Sequence, residues 1–371
     1  MVEVSAFFQG FLDEGRAKFG DDRVLVGTQE EENQVGLELP SFALQYLFHS
    51  NIMSLGKIMG LAGPQASSKS AFGFFAMRLA IEAGGVAHLI ETENKLNLHF
   101  LNSIIGSKNR DRIRIDTVST VQEAQLAVSG ALAYYKKNCP EKDLPFVICV
   151  DSLAGSTTED IQNDIRKAGF AERSFPEAAL LWSNYYKALS SELINQPIIP
   201  AFTNHLKDKI DSTGPAKVKT KSGGSSQDFH AAQYIYMNKI KAIDLVSREG
   251  NLIGMKAEKC GMGPANRKIS VPVLWDFDEE DEDGNPIQNT VWDWHAATAR
   301  LLVDKQVSGR VAKASDVTCN ANKYSSQRLG KVRVSDTELG QTLFEDKEYM
   351  HDLQKAAGFR TWKVFGDGTK T

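Results

Sequence analysis

Gly63-Pro64-Gln65-Ala66-Ser67-Ser68-Lys69-Ser70 follows an apolar run and opens a helical pattern, and this stretch decides the fold. A glycine closing a strand, a polar loop and a Lys-Ser pair at a helix start form the arrangement in which backbone N–H groups and a helix N-terminus surround phosphate. Lys69 then supplies a point charge to the β- and γ-phosphates, and the Ser70 hydroxyl is placed to ligate Mg²⁺. The usual pattern has Gly immediately before the Lys, where this chain carries Ser68, so the loop's backbone geometry departs from the pattern at that position. The plain alternative is an ordinary Ser-rich strand-to-helix turn, and the order strand, Gly, Lys-Ser, helix argues against it.

Outward from this loop, apolar runs and helical patterns alternate. Run Lys57 to Ala62 is followed by helix Ser70 to Ala83, run Val86 to Ile90, helix Leu96 to Ile105, run Arg112 to Val118 and helix Val121 to Lys137. Run Pro145 to Val150, helix Pro176 to Ile194 and run Ile198 to Thr203 continue the series. Strands alternating with helices imply a parallel sheet covered on both faces, an α/β fold. The runs Ala232 to Val246, Leu252 to Lys259 and Lys268 to Phe277 have no helices between them and predict an antiparallel extension of that sheet. Before the core, a helix over Ser5 to Phe19 precedes a polar linker and a short apolar stretch, Leu37 to Phe48. After it, the acidic stretch Asp276 to Asn285 reads as an exposed turn before a mixed C-terminal module. The expected division is an N-terminal segment over 1–50, a core with the phosphate loop over 51–277 and a small module over 278–371.

With 371 residues and a formal net charge of −4, the chain can bury one large core, and any nucleic-acid contact has to come from local patches. Cys139, Cys149, Cys260 and Cys319 stand far apart without a CxxC pair, which argues against a zinc site and a disulfide framework and for reduced thiols in a cytoplasm. Met1 to Gly20 mixes Glu3, Asp13, Glu14, Arg16 and Lys18 among apolar residues and so lacks the build of a signal peptide. No segment is long and apolar enough to span a bilayer, and no membrane partner is expected.

The strand ends carry the remaining chemistry. Run Val86 to Ile90 ends in Glu91-Thr92-Glu93, which puts carboxylates at the C-terminal edge of the sheet, where one could orient an attacking water. Phe146-Val147-Ile148-Cys149-Val150-Asp151-Ser152 is a buried-strand run ending in the aspartate that, after a phosphate loop, belongs in a Mg²⁺ shell.

Taken together these pieces resemble the RecA superfamily, and within it the phage strand-exchange recombinases of the UvsX type. The resemblance covers Lys57 to Phe277; it implies that 51–277 is a RecA-like ATPase core and that 1–50 docks on the adjacent subunit. Leu89-Ile90-Glu91-Thr92-Glu93-Asn94-Lys95-Leu96 resembles the segment whose second acidic residue is catalytic, a role that falls on Glu93. Phe100 stands where the family carries an adenine-stacking Tyr, and it reads equally as helix core. Val150-Asp151-Ser152-Leu153-Ala154 resembles the second nucleotide motif. Ile199-Pro200-Ala201-Phe202-Thr203-Asn204-His205 resembles the strand that ends in a γ-phosphate sensor, commonly Gln but His in the phage enzymes; from the residues alone His205 is a polar strand terminus. Ala257-Glu258-Lys259-Cys260-Gly261 resembles the stretch whose cations reach a neighbour's ATP, with Lys259 as one cation and Gly261 in place of the second.

By the same resemblance, two segments are expected to bind DNA. One is Gly155 to Phe175, with Arg166, Lys167 and Arg173. The other lies between His205 and Ala231, with Lys207, Lys209, Lys217, Lys219 and Lys221 and then Gly223-Gly224. Flexible Lys-rich backbone can track phosphates, and a solvated surface loop is the plain alternative. The function so implied is ATP- and Mg²⁺-dependent filament formation on single-stranded DNA, with homologous pairing and strand exchange. A helical filament or ring of like subunits, a single-stranded-DNA-binding protein and a loader are the implied partners, in a host cytoplasm if the chain is phage-encoded. Competing readings are a DnaB-type hexameric helicase and a nucleotide-dependent assembly protein with weak ATPase activity, for which Ser68 and Gly261 are the best arguments.

Overall fold

The computed structural model describes residues 4–20, 34–168, 176–208, 219–221, 226–245, 248–280, 286–303, 311, 318–320, 323–326, 330–332, 335–358 and 361–366. The first elements are α1 (Val4–Phe19), β1 (Val35–Glu38), α2 (Phe42–Phe48) and β2 (Ile52–Ser54). The single apolar stretch expected over Leu37 to Phe48 is therefore two elements. They divide at Leu39-Pro40, after which the Ser41 hydroxyl caps α2 by accepting the Leu44 N–H at 3.3 Å.

The core then runs β3 (Met59–Gly63), α3 (Lys69–Glu82), β4 (Val86–Glu91), α4 (Leu98–Ile105), β5 (Ile113–Thr117), α5 (Val121–Asn138) and β6 (Phe146–Asp151). It continues through α6 (Glu159–Ala168), α7 (Pro176–Glu192), β7 (Ile198–Asp208), β8 (Lys219–Lys221) and α8 (Ser226–His230). Next come β9 (Gln233–Leu245), β10 (Arg248–Cys260), β11 (Lys268–Glu280), β12 (Pro286–Trp292) and α9 (Trp294–Val303). One large sheet has the order β12-β11-β10-β9-β3-β7-β6-β4-β5, with β8 paired to β7. Pairing is parallel from β9 to β5 and antiparallel from β9 to β12, as the missing helices implied. Strand β3 lies between β7 and β9, so the loop that follows it opens at a reversal of strand order, where α/β sheets bind ligands.

Burial explains why these residues make these strands. Every position of β3 is buried, and β4 and β6 each leave one position half-buried, as strands covered on both faces require. On one face α3 places Phe72 among Phe48, Phe75, Trp292 and Trp294. An added Cβ at Gly73 would lie 2.7 Å from Cys149 Sγ, so glycine lets α3 close onto β6. On the other face α7 packs Trp182 and Tyr186 edge to face on Phe202 of β7. Thr120 and Glu123 form a capping box that starts α5.

Two expected boundaries shift. Strand β7 does not end at Thr203 but continues to Asp208: Asn204 and His205 pair with Ala62 and Gly63 of β3, and β8 returns antiparallel beside the rest, Leu206 facing Lys221 and Asp208 facing Lys219. The segment Gly155 to Phe175 contains helix α6, whose start follows Thr158.

Past α9 come β13 (Thr318–Asn320), β14 (Lys323–Ser326), β15 (Gly330–Val332), α10 (Asp336–Glu345), α11 (Lys347–Ala357) and β16 (Lys363–Val364). Strand β16 pairs parallel with β1. Asn51 and Trp362 exchange hydrogen bonds of 2.9 and 2.6 Å. Arg267, on the connection between β10 and β11, donates to Tyr46 O at 3.2 Å and Ala357 O at 3.0 Å while lying 4.4 Å over the Tyr46 ring. One guanidinium thus serves carbonyls at the ends of both α2 and α11. No helix among the described residues is long and apolar enough to cross a membrane.

Candidate functional site

The loop after β3 is built around glycine at its start and left-handed backbone near its end. An added Cβ at Gly63 would meet Met237 O at 2.1 Å and Ser67 Oγ at 2.6 Å, so the close approach of β9 demands glycine. The Ser67 hydroxyl donates to Pro64 O at 2.8 Å, and the Lys69 amine donates to Pro64 O at 2.7 Å and Ser67 Oγ at 3.3 Å. Ala66 and Ser68 have φ of 57° and 62°. That conformation is the physical reason the usual motif places Gly before the Lys, since a Cβ makes it unfavourable by about 1–2 kcal/mol. The Ser68 hydroxyl makes no capping bond to recover that cost. Ser68→Gly is therefore expected to stabilise the protein by about 0.5–1 kcal/mol. A thermal scan reads this as a higher unfolding midpoint; a lower midpoint would mean that the hydroxyl makes a compensating contact.

Parallel pairing aligns the ends of β4, β6, β7 and β3: Glu91 lies beside Asp151, and Gly63 beside His205. Two residues beyond β4, Glu93 accepts from Ser152 Oγ at 2.5 Å and has His205 Nε2 at 3.0 Å on the same oxygen. Its second oxygen accepts from Lys95 Nζ at 3.1 Å. Burial opposes ionisation of Glu93, but the bonds from Ser152 and Lys95 and the charge of His205 outweigh it and hold the carboxyl below its usual range. Asp151 goes the other way. Burial raises it, and hydrogen bonds from Thr203, at 2.5 Å, and from Ser70 only partly offset that.

Lys69 is 5% exposed, and burial brings its amine down to about 8 against the pull of Asp151 and Glu93. A polyphosphate beside it would favour the ammonium form and raise it again. Ser70 and Asp151 make an oxygen-only pair, already joined by a hydrogen bond, of the kind that suits Mg²⁺. Mg²⁺ takes one or two protein oxygens and leaves its other positions to phosphate and water.

Other candidates stand apart from this group or beyond the described residues. Phe100 is half-buried and packs edge to face on Phe74 with centroids 6.0 Å apart. Lys259 donates within its own chain, to Asp228 O at 3.1 Å and Phe229 O at 2.6 Å, at the end of α8. Arg166 and Lys167 are exposed on the last turn of α6. Lys207, Lys219 and Lys221 lie on the paired strands β7 and β8, and their side chains are outside the described part. Arg173, Lys209, Lys217, Gly223 and Gly224 lie outside the described residues.

Several polar partners were not foreseen. Thr203, Asn204 and His205 are consecutive on β7 and reach three different groups. Thr203 and His205 contact Asp151 and Glu93, while Asn204 Nδ2 donates to buried Gln227 Oε1 at 3.2 Å on α8. A hydroxyl residue directly after Asp151 was the available signal for Ser152; nothing local announces Gln227.

No family model matches the chain. Proteins named RecA do align with it. The one from Campylobacter jejuni subsp. doylei is 23% identical over 267 residues, covering 69% of this chain and 71% of that protein. The one from Mycoplasma mobile is 24% identical over 275 residues, covering 73% and 76%. The one from Treponema pallidum is 25% identical over 228 residues, covering 59% of this chain and 51% of its own.

Proposed function

We propose that this chain, which belongs to the RecA superfamily, is an ATP-dependent recombinase that assembles on single-stranded DNA and exchanges strands. The observation that carries the reading is the convergence of Lys69, Ser70, Asp151, Glu93 and His205 at one sheet edge, with the expected DNA segments leaving that edge directly after β6 and β7. The loop amides and Lys69 bind the triphosphate of ATP. Ser70 and Asp151 hold Mg²⁺, which when bound neutralises phosphate charge. Glu93, kept ionised, orients water in line with the γ-phosphate, and positioning with preorganised charge supplies most of the acceleration. His205, between Glu93 and the paired strands that continue toward the Lys-rich segment, gives a short mechanical route from nucleotide to DNA. The adenine-facing role of Phe100 belongs to the same proposal.

The His at the strand end, where Gln is commoner, favours the phage type within the family. Lys259 completes a neighbour's site only by leaving the carbonyls of α8, so nucleotide use and subunit assembly are coupled. We therefore expect hydrolysis per subunit to rise with protein concentration, together with filaments on single-stranded but not double-stranded DNA in negative-stain images with an ATP analogue. Rings would favour the helicase reading. A monomeric preparation that hydrolyses ATP at the full DNA-stimulated rate would remove the shared site.

A further inference from the structure

Glu91 closes β4 and is 5% exposed, yet its carboxylate does not point to a cation or to the phosphate loop in any contact described. It turns back on its own chain. Oε1 accepts the N–H groups of Glu93 at 2.9 Å and Lys95 at 3.0 Å, and Oε2 accepts that of Asn94 at 2.8 Å. Asn94 sits at φ 53°, in the left-handed region that Asn tolerates better than most residues. This turn lets consecutive amides converge on one carboxylate. Charge-assisted bonds of this kind are about twice as strong as neutral ones, so the clamp is stiff.

The other side of the turn is fixed as well. The Thr92 N–H donates to Asp151 O at 2.9 Å, the Thr92 hydroxyl to Ser152 O at 2.6 Å, and the Ser152 N–H to Thr92 Oγ1 at 3.0 Å. An added Cβ at Gly155 would lie 2.5 Å from both the Glu93 side chain and Thr92 Oγ1, so the space is full. The backbone that carries Glu93 is thereby locked to β6, and Glu91 holds it from within.

We infer that Glu91 is a positioning residue for the hydrolytic step: it sets where the Glu93 carboxylate sits and touches neither ATP nor water itself. The inference rests on the reading of Glu93 as the group that orients water. A Gln at 91 can still accept with one oxygen but turns an NH₂ toward an N–H donor, so the turn loosens with little change in volume. Misplacing a reacting group by about 1 Å costs on the order of 100-fold, so Glu91→Gln and Glu91→Ala should lower kcat by about 10- to 100-fold. The KM for ATP and the affinity for a non-hydrolysable analogue should stay within about twofold, since neither uses the turn.

The experiment is a double-mutant cycle on turnover, with nucleotide affinity and thermal unfolding measured in parallel on each variant. If Glu91 acts through Glu93, then Glu91→Gln in a Glu93→Gln background changes the residual rate by less than about twofold, because the positioned group is already gone. Equal proportional losses in both backgrounds, or a matching loss of nucleotide affinity, would overturn the inference and leave Glu91 a structural residue. The Gln variant keeps the measurement valid should Ala at 91 prevent folding. A fully active Glu91→Gln beside an inactive Glu93→Gln defeats the positioning role alone, whereas a fully active Glu93→Gln defeats the reading beneath it.

Discussion

Glu93→Gln is expected to bind ATP nearly as wild type does and to hydrolyse it about 10²- to 10⁴-fold more slowly, the range that a positioned acid–base group contributes. The substitution is isosteric. Ser152 can still donate to a Gln oxygen, so the side chain keeps its place, but the charge that draws the Lys95 amine and faces His205 is lost. On the proposed reading, binding depends on other groups: the amides of the loop, Lys69, Ser70 and Asp151. Single-turnover hydrolysis and fluorescent-analogue titration separate the two quantities. Unchanged turnover removes Glu93 from the mechanism, and a parallel loss of binding makes it a structural anchor of the site instead.

Replacing Lys217, Lys219 and Lys221 together by Ala should weaken single-stranded DNA binding and flatten its salt dependence. Each phosphate neutralised on a single strand contributes about 0.7 to the log–log slope, so the slope should become shallower by about 2. The loss should be similar for unrelated sequences, because Lys contacts phosphates rather than base edges. Lys219 and Lys221 flank Thr220 on β8, which is held to residues 206–208 of β7, directly after His205. A salt titration with a non-hydrolysable ATP analogue is the test. Superimposable curves for wild type and variant would leave the segment a solvated connection, while a fall in ATP affinity without DNA would mean that the variant has disturbed the sensor strand instead.

Much of the fold could be read from the chain because its signals are local. A buried strand such as Phe146 to Asp151 is a continuous apolar run ending in a carboxylate, and the helices between such runs force the parallel order. The three runs after Ala232 lack helices and pair antiparallel for the same reason. What escaped was non-local. The stretch Leu37 to Phe48 is apolar in both its strand and its helix, and hydropathy does not mark the change at Ser41. Strand β7 runs past Thr203 because β3 pairs with it as far as His205 and β8 returns to pair with residues 206–208. In the site, Asp151 ends β6, Glu93 follows β4 by two residues and Lys69 opens α3, which made them visible, while His205, inside β7, is marked chiefly by the resemblance. Thr203 over Asp151 and Asn204 over Gln227 depend on register between strands and on a helix 23 positions away, which composition does not encode. Ser68 was visible as a departure from the usual motif, and its left-handed backbone explains what the departure costs.

The small sheet of β1, β2 and β16 has a consequence for the order in which the molecule is made. Its last strand comes from residues 363–364, and Asn51 meets its partner Trp362 across 311 positions of sequence. The core sheet closes earlier, when β3 meets β7 at Met59 and Ala201 and then β9 at Met59 and Gln233. The segment around Asn51 cannot finish at that point. It must wait longer: Tyr46 lacks Arg267 until the connection after β10 has been made, and one edge of β1 lacks its partner until residues 363–364 have been. The small sheet is therefore the last part of the described chain to close, after the core on which it packs.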